Sequence, residues 1–581
     1  MKKECWSSKL GVVLAVAGSA VGLGNFLKFP GLVAVYGGAA FMIAYVCAFF
    51  LVGVPISIVE WTLGRRGGEL GYHSAAGIMG VFGGSKFFSY IGIVGAVLTL
   101  IVYCYYIYIE SWCLGYAYNF LAGNVSFSDI EQARAFFANF VGTDENGGAI
   151  SLASDKVLVF FLVSFLLNFF IIYKGVSAGV EAFCKVAMPT LVVVAFIVVV
   201  RMMTLGNVSP DHPERTINQG LGFMWNPVKV ELVQSKSGGG WEKIAPLVGD
   251  AEIAAASAQA EKFNELSAKQ NSQVRRKIVS ISVFEQLSNP SIWIAACGQV
   301  FFSITIGFTA IMTYASYLRR GQDIVLSALS SCTMNEFFEV CLGGMITVPA
   351  AVAFFGVAGA IGAGLSLFDL GFKVLPLVFN TMPLGEFFGF LFFALLFIAA
   401  VTSSISMIYP SVAFLEEATR VPRKVSIPML GMVSLFISLF VVYFSKGLKA
   451  MDTMDFWSGQ VMVYIMAMIQ TFLLAWVFGA EKGRRLANDG SLIKLPRAYS
   501  FAIKYVSPLV LAVVFVSWFA KDVLGLVGDG TLSPYISDIA GDAPDKVAIA
   551  SVTIIAGVYF FYALMLYSSK KYDNIGKADR L

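Results

Sequence analysis

The sequence predicts an all-α polytopic membrane protein, a bundle of about twelve transmembrane helices. Three observations carry that prediction. Of 581 residues, 57% are hydrophobic and 13% charged, with a mean hydropathy of +0.76; a soluble domain holds about 25% charged residues, so too little polar surface remains for a globule in water. The apolar runs reach the length of a spanning helix, about 20 residues. They do not alternate between polar and apolar positions, which excludes a closed barrel, the other structure that satisfies its own backbone in lipid.

The spans fall at residues 9–36, 39–66, 86–121, 157–174, 182–206, 292–318, 335–362, 386–415, 426–445, 455–479, 499–524 and 546–569. The first is not a cleavable leader: it lacks a small-residue cleavage site and carries Ser19, Asn25 and Lys28 inside its apolar run. Orientation follows from Lys and Arg in short loops. Lys2, Lys3 and Lys9 precede the first span. Arg65 and Arg66 follow the second, Arg319 and Arg320 the sixth, Arg420, Arg423 and Lys424 the eighth, Lys482, Arg484 and Arg485 the tenth, and Lys570 and Lys571 the last. Both termini in the cytoplasm satisfy all of these, with Lys446 and Lys449 as the exception. The net charge of +4 asks for no nucleic-acid partner; the partner read from composition is the lipid bilayer. The eight cysteines lie in or beside spans, away from the long outer loops where an oxidising compartment favours disulfides, and read as packing residues. His73 and His212 are the only histidines. Neither has a cysteine cluster beside it, which argues against a metal centre and against an enzyme's nucleophile–base pair.

Two long polar segments lie outside the bilayer, 122–155 and 207–290. Within the second, residues 251–269 are rich in Ala, Glu, Gln and Lys, good helix formers, after a Ser/Gly stretch at 235–240. An outer helix or hairpin is expected there. The remainder reads as one transport domain: repeat one at 9–206, repeat two at 292–479 and two extra helices at 499–569.

The repeat shows in two unusual helices. The first span places Gly18, Gly22 and Gly24 among Ser19 and Asn25; the sixth places Ser303, Thr305 and Gly307 mid-helix. Each glycine costs a helix about 1 kcal/mol relative to alanine. An offset of five spans reverses the topology of the second copy, and interrupted helices at matching positions point to a midplane binding site. Freed carbonyls there suit a cation and freed amides an anion, so a zwitterion such as a free amino acid fits. The competing reading of Gly18-x-x-x-Gly22 is a close helix-packing surface. Thr402, Ser403 and Ser404 point in different directions from the eighth span. Glu60, Glu110 and Glu339 are intramembrane carboxylates, which are functional or paired.

At these residues the chain resembles the neurotransmitter:sodium symporter family, and within it the bacterial amino-acid transporters of the leucine-transporter type. The resemblance is carried by residues 17–30 (AGSAVGLGNFLKFP), 106–112 (YIYIESW), 293–302 (WIAACGQVFF), 314–317 (YASY), 402–404 (TSS) and 454–457 (MDFW). It implies a 5+5 inverted repeat with discontinuous helices 1 and 6, and a bacterial inner-membrane location. It also implies two sodium sites. The first takes the Ala20 carbonyl, Asn25, Ser303, Asn335 and the substrate carboxylate. The second takes carbonyls of Gly18, Val21 and Ala399 with the hydroxyls of Thr402 and Ser403. The family usually has Thr where Ser303 stands; the hydroxyl remains.

The resemblance further implies a substrate carboxylate held by amides near Leu23 and Gly24 and by the Tyr106 hydroxyl, and an ammonium held by carbonyls of Ala20, Phe302 and Thr305. Val102, Phe302, Thr305, Phe308, Ser403 and Met407 would line the side-chain pocket. None is charged, and a charged substrate side chain would be buried unpaired at a cost of several kcal/mol. Ser19 stands where the leucine transporter has Asn, and Met407 replaces a branched residue with an adaptable thioether, so breadth across Leu, Met and aromatics is expected. The two Arg–Asp gates of the family become Lys28–Asp455 outside and Lys3–Glu417 inside, the latter beside Trp6, Ser316 and Tyr317. Lys lacks Arg's planar bidentate contact, so the charge signs survive while a water-bridged gate stays open. Chloride-independent members carry Glu where others carry Ser in the seventh span. Glu339, four residues after Asn335 and on the same helical face, takes that place, near Tyr45, Gln299 and Ser303.

The reading is a sodium-coupled symporter of neutral, mainly hydrophobic amino acids working by alternating access, independent of chloride and returning a proton. A carrier of a polar amino acid or amine, and a channel or transport-inactive sensor on the same fold, stand as alternatives. Monomer and homodimer stay equally open.

Overall fold

The computed structural model describes residues 5–206, 215–236, 240–269, 273–364, 368–526 and 532–577. Among them nine helices are long and apolar enough to cross a membrane, ten when the bent pair Lys9–Ala20 and Gly24–Tyr36 counts as one span. The remaining two expected spans are shorter. Residues 157–174 form Leu158–Tyr173, stopped before Gly175 at φ 89°, and residues 292–318 split into Pro290–Ser303 and Ala310–Ser316. Several ends differ from the sequence reading because caps, not hydropathy, set them. The seventh span starts at Ile324, where Asp323 accepts from the Leu326 N–H, well before residue 335.

The third span (Lys86–Leu121) and the eighth (Gly385–Thr419) pack along each other as the buried axis of the bundle. The chain is therefore helical through its membrane part, and the eight cysteines are all free. Two of its irregular places are the ones the mid-span glycines mark; the seventh span also kinks at Gly356 (φ 69°, ψ 174°). The first span leaves helical geometry at Val21 (φ −75°, ψ 101°), bends by 48° and resumes in a wide turn at Gly24–Lys28. The sixth passes through Thr305, Gly307 and Thr309 at φ of 53°, 85° and 59°. A β-branched residue in the left-handed region is an outlier, costing about 1–3 kcal/mol when the surroundings impose it. Glu60 of the second span stabilises this break, its Oε1 accepting from the Gly307 N–H at 2.7 Å.

The long outer segment holds the expected helix, Asp250–Lys269, but also a sheet that the sequence reading did not contain. Strands β1 (Lys229–Ser235), β2 (Trp241–Leu247) and β3 (Arg276–Ile281) pair antiparallel in the order β2-β1-β3. Leu232 and Leu247 close a small separate core with Ala256 and Ala260 of the helix. The module is seated by the preceding helix Ile217–Trp225, which lies along the seventh span. At the turn between the first two spans, Gly38 (φ 61°) leaves no room for a side chain: a Cβ would stand 1.9 Å from the Phe223 carbonyl oxygen.

Two outcomes follow. Glu60→Ala leaves the Gly307 N–H buried without its acceptor and should lower stability by about 1–3 kcal/mol, read as a lower melting temperature in detergent; Glu60→Gln keeps an acceptor and should recover most of it. Gly38→Ala combines a forbidden φ with a backbone clash and should cost about 3 kcal/mol or more; a melting temperature equal to wild type would overturn the seating of the outer module.

Candidate functional site

The two breaks face each other at mid-bundle, and the third and eighth spans close on them from the side. Tyr106 and Ser403 approach the first break so tightly that a Cβ on Gly22 would stand 2.7 Å from Ser403 Oγ and 3.0 Å from Tyr106 Oη. Glycine is required there by contact. The Leu23 N–H donates to Tyr106 Oη at 3.2 Å. Ser403 Oγ lies 3.2 Å from the Ser19 carbonyl, 3.3 Å from that of Val21 and 3.4 Å from that of Gly18, while Thr402 Oγ1 donates to the Ala399 carbonyl at 2.9 Å. The residues expected at the second sodium site therefore converge, and their donors are all hard oxygens, the kind an alkali cation takes.

The other expected ion residues form a chain of amides. Asn25 Nδ2 donates to Asn335 Oδ1 at 2.8 Å, Asn335 Nδ2 to Ser303 Oγ at 3.2 Å, and the Gly22 N–H to Asn25 Oδ1 at 2.8 Å. Ala20 ends the helix just before the break. Glu339 sits under this chain, accepting from Gln299 at 2.6 Å, Asn335 at 3.1 Å and Asn25 at 3.2 Å. Ser303, which accepts from Asn335, also stands within reach of it. Tyr45 stands near Glu339 as expected, and its hydroxyl also donates to the neighbouring Glu336 at 2.9 Å.

Ser19, Val102, Thr305, Phe308 and Met407, the other expected pocket residues, are all buried, and Ser19 Oγ meets Ser406 Oγ at 2.6 Å. Phe302 is half-buried and roofs the site; a Cβ on Gly24 would stand 2.7 Å from its ring. Above Phe302 a vestibule of 580 Å³ opens, lined by Leu23, Gly24, Tyr106, Asp455 and Tyr535 among others.

The outer gate pair is not made. Lys28 Nζ stands 4.2 Å from the centroid of the Phe302 ring, while Asp455 accepts from Tyr105 at 2.5 Å and Gln460 at 2.9 Å. The wide turn at Asp455–Met462 directs that carboxylate to its own neighbours. The opposite end is closed. Trp6 is buried, its Nε1 donating to the Tyr314 carbonyl at 2.9 Å and its ring edge-on to Tyr314. Lys3 lies outside the described residues. Glu417 accepts from the N–H groups of His73 at 2.8 Å and Ser74 at 3.1 Å. Ser316 Oγ is 3.0 Å from His73 Nδ1, and Tyr317 stacks on the His73 ring.

Sequence reasoning marked Glu60 and Glu110 as intramembrane carboxylates without placing them. Glu60 caps the second break, and Glu110 is paired by hydrogen bonds, from Ser404 at 2.5 Å and Asn168 at 3.2 Å. Tyr105, Glu336 and Ser406 were not foreseen. Glu336 carried a signal, a second acid directly after Asn335; Tyr105 and Ser406 carried none, since each matters only through a partner on a distant span.

The sequence profile of the Sodium:neurotransmitter symporter family matches residues 3–138 and 277–527. An uncharacterised sodium-dependent transporter of Methanocaldococcus jannaschii is 26% identical over 548 residues, 92% of this chain and 94% of its own. Another, of Haemophilus influenzae, is 24% identical over 538 residues, 89% of this chain and 98% of its own. The fold is similar to the solved structure of MhsT in complex with L-phenylalanine, with a TM-score of 0.67 at 23% identity, covering 88% of this chain and 99% of that one. With two broken helices at its centre and a profile match over most of its length, the chain belongs to the sodium:neurotransmitter symporter family, whose members are sodium-coupled membrane transporters and not enzymes.

Proposed function

We infer that the chain imports neutral, mainly hydrophobic L-amino acids with two sodium ions, by alternating access, without chloride and with a proton carried back. One observation supports this reading: the Leu23 N–H at the first break meets the Tyr106 hydroxyl, and the Asn25–Asn335–Ser303 chain meets the same break at Gly22; the side chains we assign to the rest of the pocket are buried and uncharged. Freed amides with a hydroxyl suit a carboxylate, and freed carbonyls suit ammonium and sodium. A lining of Val102, Phe308 and Met407 offers no partner to a charged side chain, so lysine, glutamate and aspartate are excluded by desolvation. The L-phenylalanine bound in the MhsT structure supports an apolar substrate.

Two sodium ions and a zwitterion leave positive charge uncompensated in a low-dielectric site. Glu339, in contact with Asn25 and Asn335, is the group we assign to balance it where other members use chloride. Once sodium has left to the inside, the same carboxylate has no cation and takes up a proton, which returns with it.

Reconstituted protein should accumulate leucine or methionine under an inward sodium gradient and bind them far more weakly in potassium, since coupling through a shared carboxylate is reciprocal. Equal affinity in the two salts, or competition by glutamate as strong as by leucine, would sink the assignment. Replacing chloride by gluconate should leave wild-type uptake unchanged and slow Glu339→Ser; chloride-stimulated uptake by the wild type would refute the role of Glu339.

A further inference from the structure

Between the fourth span (Leu158–Tyr173) and the ninth (Arg423–Tyr443) a groove of 570 Å³ runs along the outside of the bundle. Leu166, Phe170 and Tyr173 line it from one helix, and Pro428, Met432 and Leu435 from the other. Its floor lies where Gly431 meets Phe169: a Cβ on the glycine would stand 3.3 Å from the ring. The walls are not covered by protein, since Leu166 and Met432 are 67% and 59% exposed. None of these residues belongs to the substrate or ion centre.

Both walls end on a lysine, at the same end of the groove. The two helices run antiparallel, so Tyr173, the last residue of one, lines the groove together with Ile427 from the first turns of the other. Lys174 follows Phe170 by four residues and Lys424 precedes Pro428 by four, so each continues the stripe that forms its wall. Both lysines are exposed, and among the described residues neither has a carboxylate partner. The adjacent Arg423 differs, being paired with Glu416 at 3.0 Å.

Lys174 is also held close to hydrocarbon. The fourth helix has 16 residues and ends before Gly175 at φ 89°. It rises about 24 Å at 1.5 Å per residue, short of a hydrocarbon core of about 30 Å. A lysine at such an end ordinarily extends outward to the interface. Here the side chain folds back instead, with Nζ 4.4 Å from the centroid of the Phe170 ring in the groove wall. A cation left there is best met by an anion that arrives from the bilayer.

We propose that this groove is a site for one anionic membrane lipid, with an acyl chain along the fourth and ninth spans and its phosphate between Lys174 and Lys424. Lipid tails are already in an apolar phase, so the groove selects by shape and gains nothing from hydrophobic transfer. Discrimination among headgroups rests on the two lysines. A zwitterionic lipid brings its own cation beside the phosphate; an anionic one does not.

The test is native mass spectrometry of the full chain, released from detergent after incubation with equal amounts of phosphatidylglycerol and phosphatidylcholine of the same acyl chains. Wild type should retain the anionic lipid about twentyfold over the zwitterionic one, about fivefold for each lysine. Lys174→Gln should lose about fivefold of that preference, and the double variant Lys174→Gln with Lys424→Gln should retain the two lipids equally. Lys482→Gln, whose ammonium lies by Phe478 instead, should match wild type, and inorganic phosphate should not displace the lipid. Equal retention of the two lipids by wild type, or an undiminished preference in the double variant, would overturn the proposal. So would displacement by inorganic phosphate, which would mark a bare anion site.

Discussion

Every backbone group in the hydrocarbon layer must find a partner within the protein, because no water is there to supply one. Most of the described spans meet that requirement largely with their own helical ladders. The first and sixth do not, and the centre of the molecule is arranged around the repair. Glu60 takes the Gly307 N–H, Asn25 the Gly22 N–H and Tyr106 the Leu23 N–H, while Ser403 reaches three carbonyls of the first break. Each partner comes from a different place: the second span, the broken span itself, the third and the eighth. This explains why the third and eighth spans are long, uninterrupted and buried. They are the rigid wall against which two irregular segments are positioned.

Magnitudes decide what the repair can do. Two threonines held at positive φ cost about 1–3 kcal/mol each, and each protein–protein hydrogen bond returns only about 1 kcal/mol. The breaks are therefore close to balance and do not stabilise themselves; the packing around them holds them open. A segment held so near balance responds to a ligand that satisfies the same groups better. The hydroxyls of Thr402 and Ser403 are bonded back to main chain, so an ion entering there exchanges one set of oxygen partners for another and meets no unsatisfied shell. That exchange is inexpensive, as a reversible carrier requires.

What was legible in the sequence follows from where the signal lives. Helices were legible because lipid imposes long apolar runs, and the breaks because Gly22, Gly24 and Gly307 sit mid-span beside polar Ser19, Asn25 and Thr305, each glycine costing a helix about 1 kcal/mol. The convergence of Asn25, Asn335, Ser303 and Glu339 was legible through the resemblance and the four-residue spacing of Asn335 and Glu339. The outer sheet was not: β1 alternates Val230 and Leu232 with polar residues over only seven positions, too short to separate from loop in a polar segment. The gates were legible in sign and not in geometry. Lys28 and Asp455 carry opposite charges, yet one lies over Phe302 and the other bonds Tyr105, since side-chain direction in a wide helical turn is set by tertiary packing. Nothing in the sequence ties Tyr572 to Ser74, which lies about 500 residues away; such a contact has no local signature.

The two ends of the bundle are built from different physics. At the vestibule, Lys28 and Asp455 face an open cavity, where two charges 4 Å apart attract by about 1 kcal/mol in bulk water, and salt screens that attraction further. At the inner end the acid, Glu417, is met by neutral main-chain N–H groups at the start of the helix Ala75–Gly83, with Ser74 as its cap. An anion at a helix N-terminus gains about 0.3–1 kcal/mol from the dipole, and here part of the gain is made in a buried place that salt reaches poorly. A cluster of packed rings, Trp6, Tyr314, Tyr317, Tyr409 and His73, mostly edge-on, adds apolar contact beside it. The closed end thus depends on packing that must be broken cooperatively, whereas at the vestibule Lys28 and Asp455 are each held by other partners, Phe302 and Tyr105, and no such packing joins them.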